Sequence, residues 1–283
     1  MSTLLLSGPF KNHILAAFKF TLNGTIVIKL SDIATRPPKD LDKREAREIT
    51  EQNCRRIGEL HAVLRAQSKY ALLVVFQGMD ASGKDGAVKN VFQYCTQDGI
   101  DVYSFKRPTD EEFAHDFLWR VHKQAPAKGH IQIFNRSHYE DVLIQRVHGW
   151  IDEQRAEKRL QAINAFEELL QFDNNTTILK FYLHISYEQQ RKELVQRIEE
   201  SDKHWKHNAS DWKERQLWDQ YMHFYEEVFD KSAIPWHIVP VDERWYRDYV
   251  VSDAIVKALE TLPLAYPPLE DDAAAVEALL KMP

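Results

Sequence analysis

The chain has little cysteine, little glycine, and no apolar run long enough to cross a bilayer. Its two cysteines, Cys54 and Cys95, form no Cys-x-x-Cys motif, which argues against a disulfide framework or a zinc knuckle and fits a reducing cytosol. An excess of positive charge is also missing: 37 Lys and Arg stand against 43 Asp and Glu, a formal net charge of -6. That excludes a global basic coat for duplex nucleic acid but leaves room for a local basic groove. Near the N-terminus, Pro9, Lys11 and Asn12 interrupt the apolar pieces, and no basic stretch precedes an apolar core. This segment reads as mature protein rather than a signal peptide. The expectation is a cytoplasmic protein with neither membrane nor nucleic acid as partner. Of the nine glycines, three (Gly78, Gly83 and Gly86) fall within nine residues, marking one place where the backbone needs special freedom.

What remains is ordinary globular material: 283 residues, 44% hydrophobic and 28% charged, enough for one or two domains. From Asp40 to Gln67 the pattern is helical, with Ile57, Leu60, Val63 and Leu64 at helical spacing and Asp40 as N-cap. Ala71 to Gln77, ALLVVFQ, is apolar and rich in branched residues, as a strand covered on both faces would be. Residues 131–134, 177–185 and 236–239 read likewise, with 101–105 a weaker fifth strand. Helical stretches lie between and after them, at about 84–96, 110–123, 137–147, 157–172, 187–200, 210–230 and 246–261. Strands alternating with helices predict an α/β fold with a parallel five-stranded sheet sandwiched by helices. Residues 1–39, including a short alternating stretch from Thr25 to Leu30, are expected to form a leader lying on the body. Residues 40–262 form the main domain, and 263–283 a loosely attached tail.

The strongest motif is Gly78-Met79-Asp80-Ala81-Ser82-Gly83-Lys84-Asp85-Gly86. It follows a predicted buried strand and opens a predicted helix, the context a phosphate-binding loop requires. Glycines let successive N–H groups turn inward, the helix N-terminus adds positive potential, and Lys84 brings a mobile cation. Where such loops carry Ser or Thr after Gly-Lys, here stands Asp85. An acid inside the cradle, Asp80, would repel phosphate unless a cation lay between them, so Asp80 is expected to face a phosphate-bound metal. A second cluster, Asn135-Arg136-Ser137-His138-Tyr139-Glu140-Asp141, follows the strand at 131–134, at the end of the sheet where open α/β folds bind ligands. Asn135 occupies the usual metal-binding Asp position and is a poorer ligand, so Glu140 is expected to supply the carboxylate. Arg136 suits bidentate phosphate contact.

Residues 187–211 carry Arg191, Arg197, Lys203 and Lys206. Helical spacing aligns Arg191 with Leu194, Val195 and Ile198 on what should be the buried stripe. The segment reads as a lid that brings positive groups over phosphates, or as a solvated helix laced with ion pairs. Lys106 and Arg107 after the second strand, and Lys89 in the helix after the loop, would extend the cationic track.

With these residues the chain resembles a type-2 polyphosphate kinase, of the class III subgroup that acts on nucleoside mono- and diphosphates. The likeness rests on GMDASGKDG, on FNRSHYEDV, and on a lid pattern with Arg191, Arg197, Lys203-His204-Trp205-Lys206 and Asp211. Supporting matches are Asp116 to Arg120, Ile178 to Phe181 and Trp245-Tyr246-Arg247, and the likeness runs from about Thr35 to Pro267. The resemblance implies a P-loop kinase-like fold with a helical lid, and phosphoryl transfer between inorganic polyphosphate and AMP or ADP, giving ADP or ATP. It implies Mg²⁺ (or Mn²⁺) as cofactor and a homodimer or homotetramer. Asp80 and Glu140 would hold metal, and Lys84 and Arg136 would contact the phosphates in flight. Gly78, Ala81, Ser82, Gly83, Asp85, Gly86, Lys89, Lys106, Arg107, Asn135, Arg191, Arg197, Lys203 and Lys206 would bind polyphosphate or nucleotide. Class III members share Glu at position 140 and Asn at position 135, the former associated with use of the monophosphate.

A polyanionic substrate demands a cationic path, so Lys84, Lys89, Lys106, Arg107, Arg136, Arg191 and Lys203 are expected to converge on one groove. Two other readings stay open: an ATP-dependent nucleotide kinase of the thymidylate kinase type, and a nucleotide-binding module without turnover.

Overall fold

The computed structural model describes residues 28–269 together with 277, 279, 280 and 282. Helix α1 (Lys43–Gln67) leads into β1 (Ala71–Gln77), followed by α2 (Lys84–Val91) and β2 (Ile100–Ser104). Two short helices, α3 (Asp110–Phe113) and α4 (Trp119–His122), precede β3 (Ile131–Asn135). A 3₁₀ turn at His138–Asp141 is followed by α5 (Ile144–Val147), α6 (Glu153–Asn174) and β4 (Thr176–His184). Then come α7 (Tyr187–Glu199), a 3₁₀ turn at Ser201–Lys206, α8 (Ala209–Arg215) and α9 (Trp218–Lys231). Strand β5 (Trp236–Pro240) and α10 (Arg244–Glu260) complete the order.

The five strands form one parallel sheet in the order β2-β3-β1-β4-β5. Every residue of β1 is buried, as a central strand with helices over both faces requires. Helices α1, α2 and α10 pack on one another, while α6 meets β4. No helix among the described residues is long and apolar enough to cross a membrane.

Register decides where the loops emerge. Phe76 of β1 lies opposite both Asn135 of β3 and Phe181 of β4, and Ser104 of β2 also lies opposite Asn135. Strands β1, β2 and β3 therefore end nearly level, while β4 runs on to His184. The loop after β1, the turn after β3 and the segment after β2 leave the sheet side by side. The chain crosses over β1 between β3 and β4, so this edge is the switch point where an open parallel sheet leaves a crevice.

Several expected elements differ in detail. Helix α1 is capped by Asp42, not Asp40: the Asp42 side chain accepts from the N–H groups of Arg44 and Glu45. The expected helix at 110–123 is two short ones, because the Asp116 side chain accepts from the Leu118 N–H and closes a local turn between them. Ser137 likewise caps a 3₁₀ turn where a helix was expected from 137, and 210–230 breaks at Gln216–Leu217. Residues 1–27 of the expected leader lie outside the described residues. Of its alternating stretch, Leu30 is buried and opens a 3₁₀ turn. The rest of the leader is tied down by Leu30 N–H to Glu226 and by Thr35 to Asp242. In the tail, Leu264 packs against the core, whereas Tyr266 and Leu269 are exposed.

Candidate active site

The loop after β1 is shaped by positive-φ backbone. Gly78 and Gly83 have φ of 150° and 89°. A Cβ on Gly78 would lie 2.8 Å from the Leu183 carbonyl oxygen, and one on Gly83 would lie 2.5 Å from the Arg247 guanidinium. Both sites demand glycine for conformation, and Gly78 also for space against the backbone of β4. Among the described residues, four non-glycines also have positive φ. Ser68 and Asn175 terminate helices α1 and α6, an ordinary use of the left-handed conformation. The other two, Ala81 and Arg136, lie at the sheet edge, in the loop and in the turn facing it. Backbone of this kind costs on the order of 1 kcal/mol per residue, and its location at both halves of the cleft marks a site.

Lys84 is the first residue of α2 and is buried. Its ammonium folds back over the loop, donating to the carbonyls of Gly78 at 2.8 Å and Met79 at 3.1 Å. Burial, followed by the charge of Arg136, pushes its pKa down to about 8. Arg136 has its N–H on the Phe76 carbonyl. Its guanidinium forms a close ion pair with Asp80 and approaches Glu140 at 3.6 Å. Glu140, more than the opposing burial, holds its pKa above the usual arginine value. Asn135 donates through its amide nitrogen to Asp85 at 2.6 Å and so fixes the loop acid.

The turn carrying Arg136 and Glu140 is anchored from below. Lys180 donates to the Tyr139 hydroxyl at 2.6 Å and to Glu167 at 2.7 Å; Tyr139 in turn donates to Glu167 at 2.9 Å. His138 meets the same carboxylate at 3.3 Å, and all four residues are fully buried.

Two clefts open at this edge. The first, about 540 Å³, lies over the phosphate loop and runs under the lid. Eight cations line it (Lys84, Lys106, Arg136, Arg197, Lys203, Lys206, Arg244 and Arg247) against three acids, Asp80, Asp85 and Glu193. A basic groove thus exists on a chain of net charge -6. Asp80, Ala81, Ser82, Gly83 and Gly86 also line it, with Asn135. The second cleft, about 1130 Å³, holds Phe105, Phe113, Phe117 and Trp150 among Arg107, Arg120, Arg155 and Arg159, with Glu140 and Asp141. Phe105, Lys106 and Arg136 belong to both, so the clefts meet at the Arg136 guanidinium.

The expected single groove needs correction. Lys84, Lys106, Arg136 and Lys203 line the first cleft, but Arg107 lines the second. Lys89 and Arg191 line neither. Lys89 lies about 140° around α2 from Lys84 and is exposed. Arg191 is exposed as well: the buried residues of α7 are Gln190 and Leu194, and Ile198 at the far end is half exposed. The periodicity misread the face because α7 packs on polar partners through Gln190. Beyond Asp211, α8 continues to Arg215, whose guanidinium folds back onto Gln190 and the Tyr187 carbonyl of α7.

Sequence reasoning gave no site role to Arg244 or to Arg247, the latter entering only within the supporting match Trp245-Tyr246-Arg247. Arg247 donates to the Gly83 carbonyl at 3.0 Å and pairs with Asp248 at 2.6 Å, bracing the loop from outside. Arg244 pairs with Glu193 at 2.6 Å. Their signal was position alone, just beyond the end of β5. The aromatic cleft gave none, since Phe113 and Phe117 come from the connection between β2 and β3 and Trp150 from that between β3 and β4.

Asp80 and Glu140 offer hard oxygens that share one guanidinium. No group of three metal-ligating side chains occurs among the described residues. One or two carboxylates completed by phosphate oxygens and water is the usual protein share for Mg²⁺, so this donor set fits that ion.

Loop, lid and switch-point cleft define a nucleotide-kinase-like phosphotransferase of the phosphate-loop fold. Within that class, the profile of the family Polyphosphate kinase 2 matches residues 40–264, and the chain belongs to this family. It is 44% identical over 216 residues to the AMP/ADP-polyphosphate phosphotransferase of Meiothermus ruber, covering 75% of this chain and 80% of that one. It is 38% identical over 255 residues to the ADP-polyphosphate phosphotransferase of Rhodopseudomonas palustris, covering 85% and 87%. The crystal structure of Polyphosphate Kinase 2 from Arthrobacter aurescens TC1 superposes with a TM-score of 0.83 at 39% identity, over 92% of both chains.

Proposed function

We propose that the chain transfers a phosphoryl group from inorganic polyphosphate to AMP and ADP, yielding ADP and ATP, with Mg²⁺. The observation that carries this reading is the meeting of two unlike clefts at one arginine. The loop cleft is narrow and cationic, suited to a phosphate chain. Its neighbour is wide, with aromatic faces and guanidinium groups, suited to a nucleotide. A phosphoryl group passing between them crosses Arg136.

Lys84 and Arg136 hold the oxygens of the group in transfer, where charge is redistributed. Asp80 and Glu140 would hold Mg²⁺ together with phosphate oxygens, where the ion would supply neutralisation of the phosphate charge. Arg197, Lys203 and Lys206 close over the donor chain from the lid and limit water entry. Transfer is direct and in line. His138 is sealed under the turn against Glu167, out of reach of either cleft, and His115, in the second cleft, is stacked on Trp119. Neither is set up as a phosphohistidine. A homodimer or homotetramer and a cytoplasmic setting remain part of the proposal.

The test is to mix protein, Mg²⁺ and polyphosphate with AMP or with ADP and measure nucleotide products. ATP from ADP, and ADP from AMP, without added ATP, is the expected result. Products formed only when ATP is the donor would point to an ATP-dependent kinase, and no products at all to a binding module. In the same assay Glu140→Asn should depress AMP use about tenfold more than ADP use. Equal loss on both would remove Glu140 from the choice of acceptor.

A further inference from the structure

Gln190 is the one polar side chain of α7 that is sealed from solvent, at 1% exposure, and it reaches in two directions. Its amide nitrogen donates to the backbone carbonyl of Asp80 at 3.1 Å. Its amide oxygen accepts from Arg215 Nη1 at 2.8 Å. Arg215 ends α8, is itself buried, also donates to the Tyr187 carbonyl at 2.7 Å, and lies 3.2 Å over the Tyr187 ring. A continuous chain of hydrogen bonds thus runs from the last lid helix through α7 to the peptide joining Asp80 to Ala81. That peptide precedes the left-handed Ala81, so its orientation is under conformational strain and has to be held.

Residue chemistry restricts what can stand at 190. The site needs an acceptor toward a guanidinium and a donor toward a carbonyl. A carboxylate has no donor for the carbonyl and an ammonium has no acceptor for the arginine; a side-chain amide supplies both. Burial makes each end costly to leave unmet.

We propose that Gln190 is a positioning residue that couples seating of the lid to the orientation of Asp80 in the phosphate loop. This rests on the phosphotransferase reading and goes beyond it, since Gln190 touches neither substrate. When α8 docks, Arg215 orients the amide; the amide fixes the 80–81 peptide; the Asp80 carboxylate is then aimed at the phosphates. When α8 lifts, the carbonyl loses its oriented donor and the loop relaxes. Charge in the loop is thereby organised only under a closed lid.

The experiment pairs kinetics with hydrogen–deuterium exchange of the 78–86 peptide. Gln190→Glu keeps shape and the Arg215 contact but removes the donor to Asp80. It should lower kcat about tenfold, as expected for one unmet buried hydrogen bond, leave KM for ADP within about twofold, lower the thermal midpoint by only a few degrees, and speed exchange in the loop. Arg215→Met leaves both partners of the loop hydrogen bond in place and should show the same pattern. It also serves as the deciding arm if Gln190→Glu does not fold. The double variant should be no worse than the worse single one, because the two act through one relay. Unchanged loop exchange in either variant, a kcat loss matched by a fall in thermal midpoint alone, or additive losses in the double variant would each overturn the coupling. Lys84→Ala is the control: if it retains turnover, the catalytic reading of the loop fails, whereas the exchange arm still judges the coupling by itself.

Discussion

Two groups of charge share a single short turn and are treated in opposite ways. Below it, Glu167, Lys180, Tyr139 and His138 are fully buried and bond one another. Above it, Asp80, Arg136 and Glu140 keep side-chain exposures of 21%, 33% and 16%, and their ion pairs open onto two clefts. The residues from 136 to 140 divide between the two sets. Arg136 and Glu140 face the clefts; His138 and Tyr139 face the core. The lower set has no freedom to exchange partners. The upper set can trade protein contacts for phosphate oxygens. Fixing the first lets the second stay available without losing its geometry, which is what a site acting through positioned charge requires.

Breaking the lower set should have the largest effect. Lys180→Met leaves Glu167 buried beside Tyr139 without its cation and should cost about 3–5 kcal/mol in urea unfolding. Adding Glu167→Gln removes the stranded charge and should recover a good part of that loss. If Lys180→Met proves neutral, the buried cluster is not the anchor described here. In the upper set, Lys84→Ala should lower polyphosphate-dependent turnover at least ~100-fold, since the ammonium acts where charge shifts. Its unfolding midpoint should stay nearer wild type than that of Lys180→Met. Near-normal turnover would sink the assignment of the loop.

The contrast also explains what was legible in the sequence. The strands were, because a buried parallel strand is a short branched apolar run: 71–77 was read to the residue and the other four within one or two. The loop at 78–86 and the cluster at 135–140 were, because each is local and follows such a strand. Helices at 110–123, 137–147 and 210–230 were read too long, because Asp116 and Ser137 use their side chains to stop the backbone, which apolar spacing does not register. The faces of α7 were misassigned for a related reason: its deepest side chain is a glutamine whose partners lie 25 and 110 residues away. Lys180 could be seen as one cation in an apolar strand, but its Glu167 partner comes from the preceding helix. Long-range polar pairing leaves little periodic signal, and most of the site's second layer is built from it.

A smaller effect sharpens the comparison through pH. Burial, then Arg136, pushes the Lys84 ammonium down to about 8 from an ordinary 10.5, while Asp80, Glu140 and Asp85 pull the other way. Between those values the unfolded chain binds the proton that the folded one has released, so this group's contribution to stability rises as pH climbs from about 8 to 10.5. Activity should run in the opposite direction, because the charged form is the one that holds phosphate. At pH 8, kcat/KM for polyphosphate should be about half its plateau, and fall further above it. Under saturating substrate the bound phosphates favour the ammonium, so the fall in kcat should begin at higher pH. Lys84→Arg separates this group from any other that titrates nearby: its guanidinium stays charged throughout, and the residual activity should lose the step near pH 8. A step that persists in Lys84→Arg would assign the titration to a different group and leave the buried lysine without a part in it.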